Sequence, residues 1–218
     1  MKKILTTLIN ATLGTSLLLV LTSPAQAVTT DARQKLNTFF TSVNTMQGSF
    51  IQQLYSKQGK VKETTKGQLY LERPGRFRWI YSQPDPQQII SDGKNIWIYD
   101  QELDQVTVKP LNKTLTSTPA AILMQKSIPD SQFKVSEMDA TTSGWSWFYL
   151  EPHRKNADFK AMQLGMDKHG NLKQMVLYDK IGQKTVITFN ATSNKAINAN
   201  QFKFTPPAGV DVIGKPQA

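Results

Sequence analysis

The sequence predicts a mainly β chain with some α: one helix, then an antiparallel meander of roughly ten to twelve short strands forming a curved sheet or barrel. Three observations carry this. The apolar period is helical through Val43 and changes to two after Gly48. Beyond that point short apolar runs recur between turn clusters such as Asp167-Lys168-His169-Gly170-Asn171. Within QQIISDGKNIWIYD, Asp92-Gly93 is a preferred two-residue hairpin turn between apolar runs.

The chain opens with MKKILTTLINATLGTSLLLVLTSPAQA: two lysines, an apolar run densest at Leu17–Leu21, and the small-residue site Ala25-Gln26-Ala27. This is the pattern of a secretory signal peptide over residues 1–27, leaving a mature chain that starts near Val28. Asn10, Thr12, Gly14 and Thr15 interrupt the run and no stop-transfer charges follow, so a cleaved leader is expected and not a membrane anchor. Next, Ala32, Leu36, Phe39, Phe40 and Val43 recur at helical spacing, with Thr30 or Asp31 available as N-cap. Then period two takes over. Phe50 and Leu54 share a face of one strand, Leu69 and Leu71 a face of the next, and Phe77, Trp79 and Tyr81 a face of the third. Arg76, Arg78 and Ile80 fall on the opposite face, which reads as a solvated or partner-facing surface. A strand around Val106–Val108 follows the hairpin, and later strands are expected at WSWFYLEP, FKAMQLGM, NLKQMVLYD, QKTVITFN and QFKF. TSTPAAILMQKSIPDSQF interrupts them as a short helix, with Thr118 as N-cap and Pro119 at the first helical position. Ala120, Ala121, Ile122, Leu123 and Met124 make it apolar nearly all round, so it must pack on something: as a plug in an ordinary core or as a lid over a hydrophobic cavity. No repeat or linker divides residues 28–218, which read as a single domain.

Composition limits the partners. Cysteine is absent, so no disulfide forms and the chain is not itself a lipoprotein acylated after its leader. Without Lys2 and Lys3, 24 basic and 16 acidic side chains leave a formal charge of +8, which favours anionic partners. The basic residues are dispersed along the chain, so no nucleic-acid partner is expected. Catalysis finds little support. His153 and His169 sit in polar turns without a partner histidine or cysteine. Asp100, Glu102 and Asp104 alternate like the start of a calcium loop but lack its glycine and closing glutamate. No nucleophile elbow, phosphate loop or zinc-protease motif occurs, so no catalytic residue, metal site or cofactor is assigned. A module binding anionic glycans or lipid headgroups through its basic surface is the alternative reading; a hydrolase with carboxylates converging from distant strands is a more remote one.

The ordered motifs resemble the LolA family of periplasmic outer-membrane lipoprotein carriers across essentially the whole mature length. They are Met46-Gln47-Gly48-Ser49-Phe50, Gly67-Gln68-Leu69, Arg73-Pro74 with Phe77 and Trp79, Gln83-Pro84-Asp85 and Ser91-Asp92-Gly93-Lys94. Thr118-Pro119, Phe202-Lys203-Phe204-Thr205-Pro206-Pro207 and Gly209-Val210 complete the set. The resemblance implies an unclosed, strongly curved antiparallel β-barrel of about eleven strands, with helices forming a lid over a hydrophobic cavity. It implies a monomeric, non-enzymatic chaperone that binds the acyl chains of lipoproteins. An ATP-driven lipoprotein-releasing complex in the inner membrane would supply them, and an outer-membrane lipoprotein receptor would accept them. Carried over residue by residue, Phe50, Leu54, Leu69, Leu71, Phe77, Trp79, Ile122, Leu123 and Met124 would line the acyl cavity. Arg73 would be the lid latch, hydrogen-bonding backbone carbonyls of the helices near Leu123 and Met124. A guanidinium suits that task, with five donors in a fixed plane and a charge kept at any cellular pH.

Overall fold

The computed structural model describes residues 27–111, 122–129, 131–139, 144–154 and 157–217, with side chains from Arg33 onward. The expected leader up to Gln26, and Thr118, Pro119, Ala120 and Ala121 of the second expected helix, lie outside the described residues. Helix α1 spans Ala27–Ser42, so it already runs through Thr30 and Asp31 and neither is its N-cap. The strands are β1 (Thr45–Tyr55), β2 (Val61–Glu72), β3 (Arg76–Gln83), β4 (Gln87–Asp92), β5 (Asn95–Asp100) and β6 (Gln105–Pro110). Then come β7 (Phe133–Glu137), β8 (Ser146–Pro152), β9 (Ala161–Met166), β10 (Leu172–Tyr178), β11 (Lys184–Ser193) and β12 (Asp211–Ile213). All twelve form one sheet in the order β12-β6-β5-β4-β3-β2-β1-β11-β10-β9-β8-β7. Neighbours are antiparallel except β12, which runs parallel to β6.

Two meanders, β1–β6 and β7–β11, are therefore joined by pairing of β1 with β11, and the sheet ends in two separate edges without closing. It must curl strongly. Strand β7 lies six positions from β2, about 29 Å across a flat sheet at ~4.8 Å per strand. Yet α1 packs on β7 and is also held by Arg73 just past β2, while its rise from Arg33 to Val43 is only about 15 Å. Curling gathers inward residues of both meanders into one apolar cluster, from Leu71 and Phe77 on one side to Phe148 and Met162 on the other. The buried α1 residues Leu36, Phe39 and Phe40, with Val43 just past the helix end, close over it, which fits their helical spacing.

The outer face of β4–β6 has its own cover. Ile90, Trp97, Val106 and Val108 form a second cluster, against which Phe204 and Val210 of the C-terminal segment pack. Three differences from the sequence expectation arise here and at β7. QFKF is not a strand: Ala199–Phe202 is a 3₁₀ turn capped by the Asn198 side chain, and its Phe202 plugs the outer face. Strand β12 follows it as an edge added to β6. Strand β7 (FKVSE) was not expected, because it carries two inward apolar residues, Phe133 and Val135, and otherwise polar ones. Among the described residues the strands number twelve, within the ten to twelve read from the sequence and against the about eleven that the resemblance implies. At the β4–β5 hairpin the loop is Gly93-Lys94, one residue later than expected, because the Asp92 carboxylate accepts the N–H groups of Lys94 and Asn95 at 2.8 and 2.7 Å.

Candidate functional site: the inner face and the Arg73 tie

Of the residues expected to line a cavity, Phe50, Leu69, Leu71, Phe77, Trp79, Ile122, Leu123 and Met124 are all buried in the inner cluster. Register explains the convergence: Leu69 pairs with Trp79, and Leu71 with Phe77, on adjacent strands. Phe50 stacks obliquely on Trp79 at 4.6 Å between ring centroids, with Phe189 edge-on to Trp79 at 6.1 Å. Close approach at this point requires a glycine. A Cβ on Gly67 would stand 2.0 Å from the Ile80 carbonyl oxygen and 2.5 Å from the Phe50 ring. Leu54 departs from the group. It shares the strand face with Phe50 but is half-buried at the far end of β1 and takes no part in the inner cluster. The sequence reading passed over Phe148, Met162, Leu164, Ile187 and Phe189 as site residues, although their alternation on β8, β9 and β11 carries the same signal.

Arg73 continues the inward row Leu69, Leu71 beyond the end of β2, and it is 6% exposed. Its Nε donates to the Leu123 carbonyl at 2.7 Å. Its Nη1 donates to the carbonyls of Val43 at 2.6 Å and Phe40 at 3.0 Å, with a longer approach to Phe39 at 3.4 Å. The guanidinium also lies over the rings of Phe39 and Phe40, at 5.0 and 4.7 Å. One side chain from the sheet thus ties down both the end of α1 and the Ile122–Met124 segment. The chemistry is that of a helix C-cap supplied from elsewhere. The last turn of α1 holds no basic residue, the carbonyls beyond Phe39 (which accepts the Val43 N–H at 3.0 Å) lie where the helix runs out of N–H partners, and a cation suits the negative end of the helix dipole. Burial lowers the guanidinium pKa to about 10, so it remains charged near neutrality. The sequence placed the acceptors near Leu123 and Met124. The structure gives Leu123 and adds Phe39 and Phe40 on α1 and Val43 just past its end, signalled in the sequence only by the missing basic residue or glycine at that helix end.

Arg76 and Arg78, expected on a solvated or partner-facing surface, are partly exposed and partly engaged by the chain's own residues. Arg76 pairs with Glu72 and lies 5.5 Å from the buried Phe202 ring. Arg78 donates to Gln88 Oε1 at 2.6 Å and approaches the Gln201 carbonyl at 3.4 Å. The C-terminal segment covers them, and that segment is more than a hundred residues away in sequence. Asp100 caps the β5–β6 hairpin through the N–H groups of Glu102 and Leu103, both at 3.1 Å. Among the described residues no group of three or more His, Asp or Glu could hold a metal ion. No described helix is long and apolar enough to cross a membrane.

Residues 41–205 match the family described as outer membrane lipoprotein carrier protein LolA. An outer-membrane lipoprotein carrier protein of Nitrosomonas europaea is 40% identical over 187 residues, 85% of this chain and 90% of that one. One of Xanthomonas oryzae pv. oryzae is 38% identical over 185 residues, 84% of this chain and 88% of that one. Among solved structures, an uncharacterized conserved protein from Thermus thermophilus shares the fold with a TM-score of 0.54 at 13% identity. The match spans 84% of this chain and 97% of that one.

Proposed function

The chain belongs to the LolA family of outer membrane lipoprotein carrier proteins, and on that premise we propose that it carries lipoproteins through the periplasm by sheltering their acyl chains. It is a carrier and not an enzyme. The observation that carries the mechanism is the Arg73 tie: the apolar inner face is closed over by elements held through one charged side chain and a few carbonyls. Each methylene moved out of water is worth ~0.8 kcal/mol, so a chain of about fifteen contributes ~12 kcal/mol and will not cross the periplasm unshielded. A cargo gains that much only by parting the inner cluster. Phe50, Leu69, Leu71, Phe77, Trp79, Ile122, Leu123 and Met124 then become the cavity wall, with Leu54 at its margin. Arg73 acts as the latch, broken on loading and re-formed on release, so affinity stays tunable.

In this reading residues 1–27 are removed on export and 28–218 act as one domain. An ATP-driven inner-membrane complex loads the carrier, and an outer-membrane receptor empties it. The test is release: inner-membrane spheroplasts incubated with the purified mature chain should yield soluble complexes of chain and outer-membrane lipoproteins. Lipoproteins that stay membrane-bound with this chain, yet are freed by an established carrier in parallel, would sink the proposal. The alternative of binding anionic headgroups through a basic surface predicts salt-sensitive association, indifferent to acyl chains.

A further inference from the structure

Among the described residues, the buried side-chain donors Arg73 Nη2, Arg78 Nε and Trp79 Nε1 make no hydrogen bond of ordinary geometry, Trp79 Nε1 having only a weak approach to Tyr81. Native interiors leave few such groups, and each calls for a cause. Arg73 and Trp79 belong to the inner face, where Trp79 is 5% exposed among Phe50, Phe189 and Tyr81. Tyr81 follows two residues later on the same face, its ring edge-on to Phe50 at 5.6 Å. Burial raises its pKa to about 12; the neighbouring Trp79 N–H opposes the rise and Glu63 adds to it. The hydroxyl therefore keeps its proton. Tyr81 also lines a cleft of about 500 Å³ together with the buried Thr65, and Glu63, Asp85, Asp100 and Glu102 stand around it. The apolar core thus meets a polar, acid-rimmed cleft at the Trp79–Tyr81 pair.

We infer that Trp79 Nε1 and Tyr81 Oη form a carbonyl-binding subsite that takes an ester carbonyl of a bound acyl chain. The inference rests on the carrier reading above and adds the polar recognition element to it. The unpaired buried atoms on this face are N–H donors, so the complementary ligand group is an acceptor without a donor of its own. An acyl ester is such a group, and it sits where a hydrocarbon chain meets a polar head, as the subsite sits where apolar core meets cleft. The four carboxylates oppose a free fatty-acid carboxylate or a phosphate there, which leaves the neutral ester favoured.

The test compares two lipopeptides with the same peptide and chain length, one carrying ester-linked acyl chains and the other ether-linked alkyl chains. Binding to the mature chain is measured by displacement of a hydrophobic fluorophore, for the parent, Trp79→Phe and Tyr81→Phe. Tyr81→Phe should weaken the ester ligand about three- to tenfold, the worth of one net hydrogen bond, and leave the ether ligand unchanged, while Trp79→Phe, which also reshapes the cavity wall, should weaken the ester ligand by that factor more than it weakens the ether ligand. With a ¹³C-labelled ester, the carbonyl infrared band should move to lower frequency on binding the parent, and less so in either variant. Equal weakening of both ligands, or of neither, overturns the subsite while leaving the carrier reading intact. Failure of the parent to bind either ligand overturns the carrier reading and the subsite with it. Tyr81→Phe removes one oxygen atom and keeps the ring, so the comparison survives even if Trp79→Phe folds poorly.

Discussion

Replacing Arg73 by leucine should produce a carrier that loads and will not let go. Three of its bonds, at 2.6, 2.7 and 3.0 Å, are short. Charge-assisted bonds of this kind contribute ~1.5–3 kcal/mol each, so together they stabilise closure by about 4 to 9 kcal/mol. Against this stands the removal of the guanidinium from water. Burial lowers its pKa from the ordinary guanidinium value to about 10, which at ~1.4 kcal/mol per unit costs about 3 kcal/mol. The difference, about 1 to 6 kcal/mol, is what the latch adds to the closed form, and its midpoint is a shift of two to three powers of ten in the closed-to-open ratio. Arg73→Leu abolishes that term and adds apolar surface to the cavity wall, so the loaded state gains relative to the empty one. In a two-step assay, the variant should accept lipoprotein from spheroplasts as well as the parent or better. Transfer of the purified complex to outer-membrane receptor should fall at least tenfold. Arg73→Lys should be intermediate, since an ammonium keeps the charge without the planar fork. A leucine variant that fails at uptake, yet passes on normally whatever it is loaded with, would refute the latch and make Arg73 a docking residue.

Four further outcomes follow from the same geometry. Phe202→Ala should destabilise the chain by ~3–5 kcal/mol in urea denaturation, because its ring is 2% exposed beneath Arg76; a loss below about 1 kcal/mol would mean the C-terminal cover is not structural. Gly67→Ala should be far more damaging than an ordinary strand substitution, since the added Cβ meets the Ile80 carbonyl oxygen at 2.0 Å; a melting temperature within a few degrees of the parent's would contradict that packing. For pH, the buried Arg73 cation has a lowered pKa, so from about 10 up to the ordinary guanidinium value the native chain binds fewer protons than the unfolded one and this group's contribution to stability rises with pH. Below that window it is flat, and hydrogen exchange of α1 should show constant closure from about pH 5 to 8. Asp92 has the same sign in an acid window. Desolvation raises its carboxyl, but hydrogen bonds from Trp97, Asn95 and Lys94 outweigh this and hold it below the usual carboxylate range. Its contribution is present above ~3.9 and lost as the pH falls through the folded value, so Asp92→Asn should be less sensitive to acid than the parent.

The inner half of this molecule was legible because its signals are local. Period two fixes which of Phe50, Leu69, Leu71, Phe77 and Trp79 point inward, and Arg73 stands two residues beyond Leu71, on the same parity. Leu54 shows the limit of that rule: parity sets a face, but not whether the helix lies over that end of it. The outer half was hidden. Arg76 and Arg78 share a face with Ile80 and look like surface until a segment from the other end of the chain lies across them. That segment carries Phe202, Phe204 and Val210 without period, anchored by 3₁₀ geometry and by the reciprocal bonds of Asn95 with Gln217, at 3.1 and 2.7 Å. Nothing in a window of ten residues encodes such an arrangement. Strand β7 escaped for a related reason, since it is specified partly by α1. Arg33 donates to the Phe133 carbonyl at 2.5 Å, and Lys35 pairs with Glu137 at 3.0 Å.

The central claim is that acyl chains lie on the concave face. A photo-activated amino acid in place of Leu69 puts the probe on the inner face, and one in place of Ile51, which is 46% exposed on the opposite face of β1, serves as its control. Each variant is loaded from spheroplasts whose lipoproteins carry radiolabelled palmitate, irradiated, and digested to remove the protein part of the cargo. Label attached covalently to the chain at position 69 and absent at position 51 is the predicted result. Label at position 51, or at neither position in a chain that has demonstrably taken up lipoprotein, would place the acyl chains elsewhere and contradict the account.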